Sequence, residues 1–143
     1  MVKKVEVQLK LGEKYTIEGK IHNHKVYVDQ PATGGGQDKG PTPLEYLLLS
    51  HGACVATVAR IIASQKRIPM RGMNVIVSGE LDLDVLLGKP TQNRAGFTGI
   101  TLKVEVDADI PREEKEKLVH EADRRCPVSD NLKQLTSISV ELA

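Results

Sequence analysis

Leu44 to Ala59 reads L-E-Y-L-L-L-S-H-G-A-C-V-A-T-V-A, and this stretch decides the fold. Thr42 is a good N-cap before it, and Pro43 suits the first helical position. Pro69 stops a helix that begins there, so the spacing predicts one helix over 43–66. Leu44, Leu47, Leu48, Leu49, Ala53, Val55, Ala56, Val58, Ala59, Ile61 and Ile62 occupy nearly every side of it. A helix that is apolar all round must be covered all round. One small sheet covers only one side, so a second copy of the chain is expected on the other, as a homodimer. The alternative is a monomer wrapped by its own sheet and second helix. Glu45, His51 and Arg60, diluted by Ser50, Gly52 and Thr57, make the stretch too polar for a membrane span.

Working outward, Val5–Leu11, Tyr15–Ile21 and His24–Asp29 alternate apolar and polar residues, which predicts a small antiparallel meander. Gln30 to Pro41, dense in Gly and Pro, is a loop. Beyond the helix, Met73–Val85 and Phe97–Ile110 read as two long strands joined by the polar segment Leu87–Arg94. Asp109 is expected to cap a second helix opened by Pro111, with acids in its first turn and Arg in its last, as the helix dipole favours. A short third helix follows Cys126-Pro127, and Ser137–Leu142 reads as a last strand. No repeat or linker divides the chain, so residues 1–143 are expected to form a single α+β domain.

The chain has 143 residues, enough for one real core. Aromatics are confined to Phe97, Tyr15, Tyr27 and Tyr46, so the core must be aliphatic. The formal net charge is +1, with acids and bases intermixed. Without a basic stripe or aromatics to stack on bases, nucleic acid is not an expected partner. The N-terminus, M-V-K-K-V-E-V, alternates charge with Val and is no signal peptide. A cytoplasmic protein is expected, with neither membrane nor secretion.

In a reducing compartment two cysteines far apart invite a redox reading, because structural disulfides are rare there. Burial as small hydrophobes is the plainer alternative. Cys54 lies on the long helix. His51 and Ser50, three and four residues earlier, project on its side, and either could donate to a thiolate. Glu45, nine residues earlier, falls about half a turn away at about 100° per residue. Cys126 would sit at the N-cap of the third helix, among free backbone N–H groups and beside Arg124 and Arg125. By local physics alone it is the favoured thiolate. His22-Asn23-His24 is a solvated turn rather than a metal site. The Gly-rich loop lacks the G-K-[ST] ending of a phosphate loop. His120 reads as surface, and no Ser-His-Asp order is defensible.

G-P-T-P-L-E-Y-L-L-L-S-H-G-A-C (40–54) resembles the loop-and-helix signature of the OsmC/Ohr family, the osmotically inducible and organic hydroperoxide resistance proteins. R-R-C-P-V-S-D-N-L (124–132) resembles that family's second cysteine motif, and the element order fits nearly the whole chain. The G-G-G…G-P-T-P-L-E pattern is closer to the family's less characterised OsmC-like branch. The resemblance implies antiparallel sheets around a central cysteine-bearing helix, in an intertwined homodimer. It implies a cysteine-based peroxidase that reduces organic hydroperoxides to alcohols, as oxidative stress defence. Cys54 would attack the peroxide, and Cys126 would resolve the sulfenic acid as an intrachain disulfide. An external dithiol would restore both thiols, with no metal or organic cofactor. Family members also bring an Arg from the N-terminal strands and a Glu to the thiolate. This chain holds no Arg before Arg60, and Leu44 stands at the Glu position with Glu45 beside it. Glu45 and His51 are therefore the candidates to tune Cys54. The departure also favours a second expectation: a protein of little peroxidase activity that binds a small apolar or thiol-reactive ligand at the dimer interface.

Overall fold

A computed structural model describes all residues, 1–143. The chain forms two compact units, residues 1–47 and 48–143.

The first unit is the expected meander. Strands β1 (Gln8–Leu11), β2 (Ile17–Ile21) and β3 (His24–Val28) form one antiparallel sheet in that order. Leu9 pairs with Gly19, which pairs with Val26. Strand β1 starts at Gln8 rather than Val5, because Val5 and Val7 meet no partner strand and stand exposed. The following loop folds back along β3: the Asp29 N–H donates to the Pro41 carbonyl at 3.1 Å. Gly40 permits that approach, since a Cβ there would lie 2.1 Å from the Tyr27 carbonyl oxygen. Asp29 organises the loop from within. Its carboxylate accepts from the backbone N–H groups of Gln30 at 2.8 Å, Gln37 at 3.4 Å and Lys39 at 3.2 Å. It also accepts from the Thr16 hydroxyl at 2.8 Å. Burial works against its ionisation, but these four donors prevail and hold its pKa below the ordinary carboxylate value.

Helix α1 (Pro43–Gln65) starts in this unit and runs on into the second. By length and hydropathy alone it could cross a bilayer, so the expectation that it is too polar to do so fails on composition. It is instead the core helix of this fold, burying a stripe of Val55, Val58, Ala59, Ile62 and Ala63. Only one side is buried: Leu49 and Ile61 remain exposed.

Strands β4 (Met70–Glu80) and β5 (Gly99–Ala108) make a long antiparallel hairpin. The cross-strand pairs Met73–Val106, Val75–Val104 and Val77–Leu102 share its inward face. β4 ends five residues before the expected Val85. Asp82 turns the chain instead, accepting from the Asp84 N–H at 2.9 Å and capping a one-turn helix, α2 (Leu83–Leu86). Helix α3 (Arg112–Arg125) packs Leu118 and Ala122 into the core. Asp109 does not cap it. The N-cap position is Pro111, with no side-chain bond, and the Asp109 carboxylate is drawn to Arg71 at 2.8 Å. Helix α4 (Pro127–Lys133) follows at once. The expected last strand, Ser137–Leu142, does not form: it has no ladder partner in the chain, and Ile138, Val140 and Leu142 are exposed.

Candidate active site

Short segments of the second unit meet where α1 crosses the start of α4. Each cysteine has a polar partner three residues away on its own element. On α1 the pair is His51 and Cys54; on α4 it is Cys126 and Ser129. The two elements are joined by a bond between the polar partners, His51 Nε2 to Ser129 Oγ at 2.6 Å.

Cys126 is the N-cap of α4, with Pro127 at the first helical position, as the sequence indicates. Its sulfur accepts from the Ser129 N–H at 3.4 Å. Cys126 is fully buried, whereas Cys54 is only partly buried; both thiols are free. The Cys54 thiol lies against that of Cys126 and the backbone N–H of Val128. Burial pushes its pKa up, the Cys126 thiol adds to this, and the Val128 N–H opposes it. Cys54 therefore rests as a thiol at neutral pH.

Gly52 sets the depth of α1. A Cβ there would stand 2.8 Å from Val77 Cγ2, so the backbone beside Cys54 is pressed against β4. At the helix's far end, the Arg60 guanidinium donates to the Met70 and Arg71 carbonyls and ties α1 to the same strand.

Behind the thiols runs a polar chain. The Ser129 hydroxyl donates to Asp123 Oδ1, and Lys133 Nζ donates to Asp123 Oδ2. Burial opposes the Asp123 charge, but the bonds from Lys133 and Ser129 win and hold its pKa low. His51 is 5% exposed, and burial keeps its pKa below the ordinary value; the Asp123 charge opposes this and the Lys133 charge assists it. Its Nδ1 is buried with no hydrogen-bond partner.

The candidates named from sequence are thus divided. Cys54, Cys126 and His51 come together. Glu45 is occupied at the helix start, where it forms a capping box with Thr42: the Thr42 N–H donates to Glu45 Oε2 at 2.7 Å, and the Glu45 N–H to Thr42 Oγ1 at 3.3 Å. Ser129, Asp123 and Lys133 are not apparent from sequence. Ser129 stands inside the second cysteine motif, three residues after Cys126, and that spacing is its one visible signal. No group of three His, Cys, Asp or Glu is placed to hold a metal.

The family model for OsmC-like protein matches residues 36–141. No curated protein matches the chain. Among solved structures, an OsmC-like protein from Mycoplasma pneumoniae superposes with TM-score 0.80 at 24% identity, over 93% of this chain and 89% of that one. An organic hydroperoxide resistance protein OsmC from Legionella pneumophila gives TM-score 0.69 at 19% identity, over 93% and 91%. An organic hydroperoxide resistance protein from Elizabethkingia anophelis, with thiocyanate bound, gives 0.69 at 16%, over 91% and 88%.

Proposed function

Because this chain belongs to the OsmC-like protein family, we propose that it is a thiol peroxidase that reduces organic hydroperoxides to alcohols. The observation that carries this reading is the meeting of two free thiols, one on a core helix and one at a helix N-cap, inside a family fold shared with hydroperoxide resistance proteins.

Cys54 is the better entry point because it is only partly buried, while Cys126 is fully enclosed. As thiolate, Cys54 attacks one peroxide oxygen. The O–O bond breaks, the alcohol leaves with a proton, and the sulfur becomes a sulfenic acid. Cys126 then attacks that sulfur, water leaves, and a Cys54–Cys126 disulfide forms. An external dithiol reduces the disulfide by exchange. His51 serves the thiol proton, and Glu45 serves the helix start. The cycle suits the cytoplasm, whose reducing poise regenerates the thiols. A homodimer is supported by the uncovered Leu49 and Ile61 on α1 and by the unpaired alternation of Ile138, Val140 and Leu142.

Intact mass and free-thiol count before and after stoichiometric cumene hydroperoxide test the reading. Loss of both thiols in one chain, absent in Cys54→Ser, is expected. Two thiols still free, or consumption unchanged in Cys54→Ser, would overturn it.

A further inference from the structure

Matching donors to acceptors assigns the proton on His51. The Ser129 hydroxyl has one proton and donates it to the Asp123 carboxylate, which Lys133 also binds and which is held ionised. Ser129 Oγ can therefore only accept from His51, so Nε2 carries the ring proton. Nδ1 of the neutral ring is then a bare lone pair. It is buried and meets no donor, an unmet acceptor in an interior that otherwise satisfies its polar groups. The thiol of Cys54 stands one helical turn away on the same face, with Cβ atoms roughly 5–6 Å apart at this spacing. That thiol is protonated at rest, and the Val128 N–H is the group that favours its thiolate.

We propose that Lys133, Asp123 and Ser129 are positioning residues that hold His51 as the base for the Cys54 thiol. The chain fixes the ring proton on Nε2, turns Nδ1 toward proton acceptance, and places a carboxylate behind the imidazolium that forms. For this the Cys54 side chain turns from Cys126 toward the ring; its S–H bond then breaks and the proton moves to Nδ1. The freed sulfur pair attacks the hydroperoxide and the O–O bond breaks. The departing alkoxide then takes the proton back from Nδ1 and leaves as the alcohol. Sulfur is oxidised by two electrons, the hydroperoxide is reduced by two, and His51 ends neutral. The charged groups that act on the ring are Asp123 from α3 and Lys133 from α4. β4 presents Val75 and Val77 beside Gly52.

This rests on the reading of Cys54 as the nucleophile, but it is tested without peroxide. In Cys126→Ser protein, where Ser keeps the N-cap, Cys54 is the sole thiol, and its alkylation by iodoacetamide is followed against pH. At neutral pH, Ser129→Ala and Asp123→Asn in that background are expected to slow alkylation by about 100-fold, the low end of general-base assistance. Ser129→Thr is expected to restore it. At alkaline pH, where the thiol ionises unaided, all rates should converge. Equal rates at neutral pH, or a constant offset at every pH, would overturn the proposal. Nitrogen-15 shifts of His51 in the unmutated protein give an independent test: the Nε2–H tautomer is expected, and the Nδ1–H tautomer would overturn the assignment. Relay-dependent alkylation with no hydroperoxide consumption would remove the peroxidase reading and leave the relay standing.

Discussion

The two units each build a hydrogen-bond network on one carboxylate, buried at Asp29 and partly exposed at Asp123. Around Asp29 the donors are matched: three backbone N–H groups and a hydroxyl converge on one carboxylate. Around Asp123 the chain is equally well bonded until it reaches His51, where one nitrogen is left over. A fully matched network resists any change and serves shape. A network with one unmatched acceptor is ready to receive something, and it lies beside two thiols. The unmatched atom is what separates chemistry from structure here.

The largest break is expected in the matched network. Gly40→Ala drives a Cβ against the Tyr27 carbonyl, which is rigid backbone. A loss of about 3 kcal/mol or more is expected, at the upper end for overpacking, read from chemical denaturation. An unchanged midpoint would show that the loop yields freely and that the closeness of this network is superficial.

Asp29→Asn follows. The new amide nitrogen would face donors, the Lys39 N–H among them, so loop 30–41 should lose order and be cut by protease far faster than in the parent. The pH dependence has the matching sign. The folded pKa of Asp29 is depressed, so its contribution is complete above the unfolded carboxylate value, about 3.9, and fades as pH falls through the depressed one. In the Asp29→Asn protein that segment of the acid denaturation curve should flatten.

The smallest effect is the most discriminating. His51→Leu removes the orphan nitrogen with the ring, and Ser129 keeps its bond to Asp123. Stability should change by no more than about 1 kcal/mol, because losing an unmatched acceptor offsets losing a bond. His51 is held neutral with a folded pKa below 6.5. Wild-type stability should therefore fall as pH drops below the unfolded value and on toward the folded one, and the variant should lose that slope. A loss as large as that in the Asp29 variant would erase the contrast between the two networks.

Much of this architecture is legible from residues alone. The Leu44–Ala59 pattern locates α1, alternation finds β2, β3 and the hairpin, and Cys126-Pro127 marks an N-cap to the residue. The failures are physical. Val5–Val7 and Ser137–Leu142 alternate as strands do, but a strand needs a ladder partner, and alternation says nothing of whether one is present. Val85 belongs to a strand by pattern, yet Asp82 captures the Asp84 N–H and turns the chain first. Asp109 looks like a cap because nothing in a local window shows Arg71, 38 positions away. Glu45 stands close enough in sequence to suggest a partner for Cys54, whereas T-P-L-E from Thr42 already spells a capping box. His51 and Ser129 are separated by 78 positions, and their bond leaves no periodic trace in either segment.

Gly52 has a consequence for how such a chain can change over generations. Its missing side chain is the space that Val77 fills, so the lateral position of Cys54 is set by a residue with no chemistry of its own. Growth at 52 lifts the helix from β4 unless Val77 shrinks in the same lineage. Heritable variation in the reactivity of this thiol therefore runs through a paired volume exchange between helix and sheet.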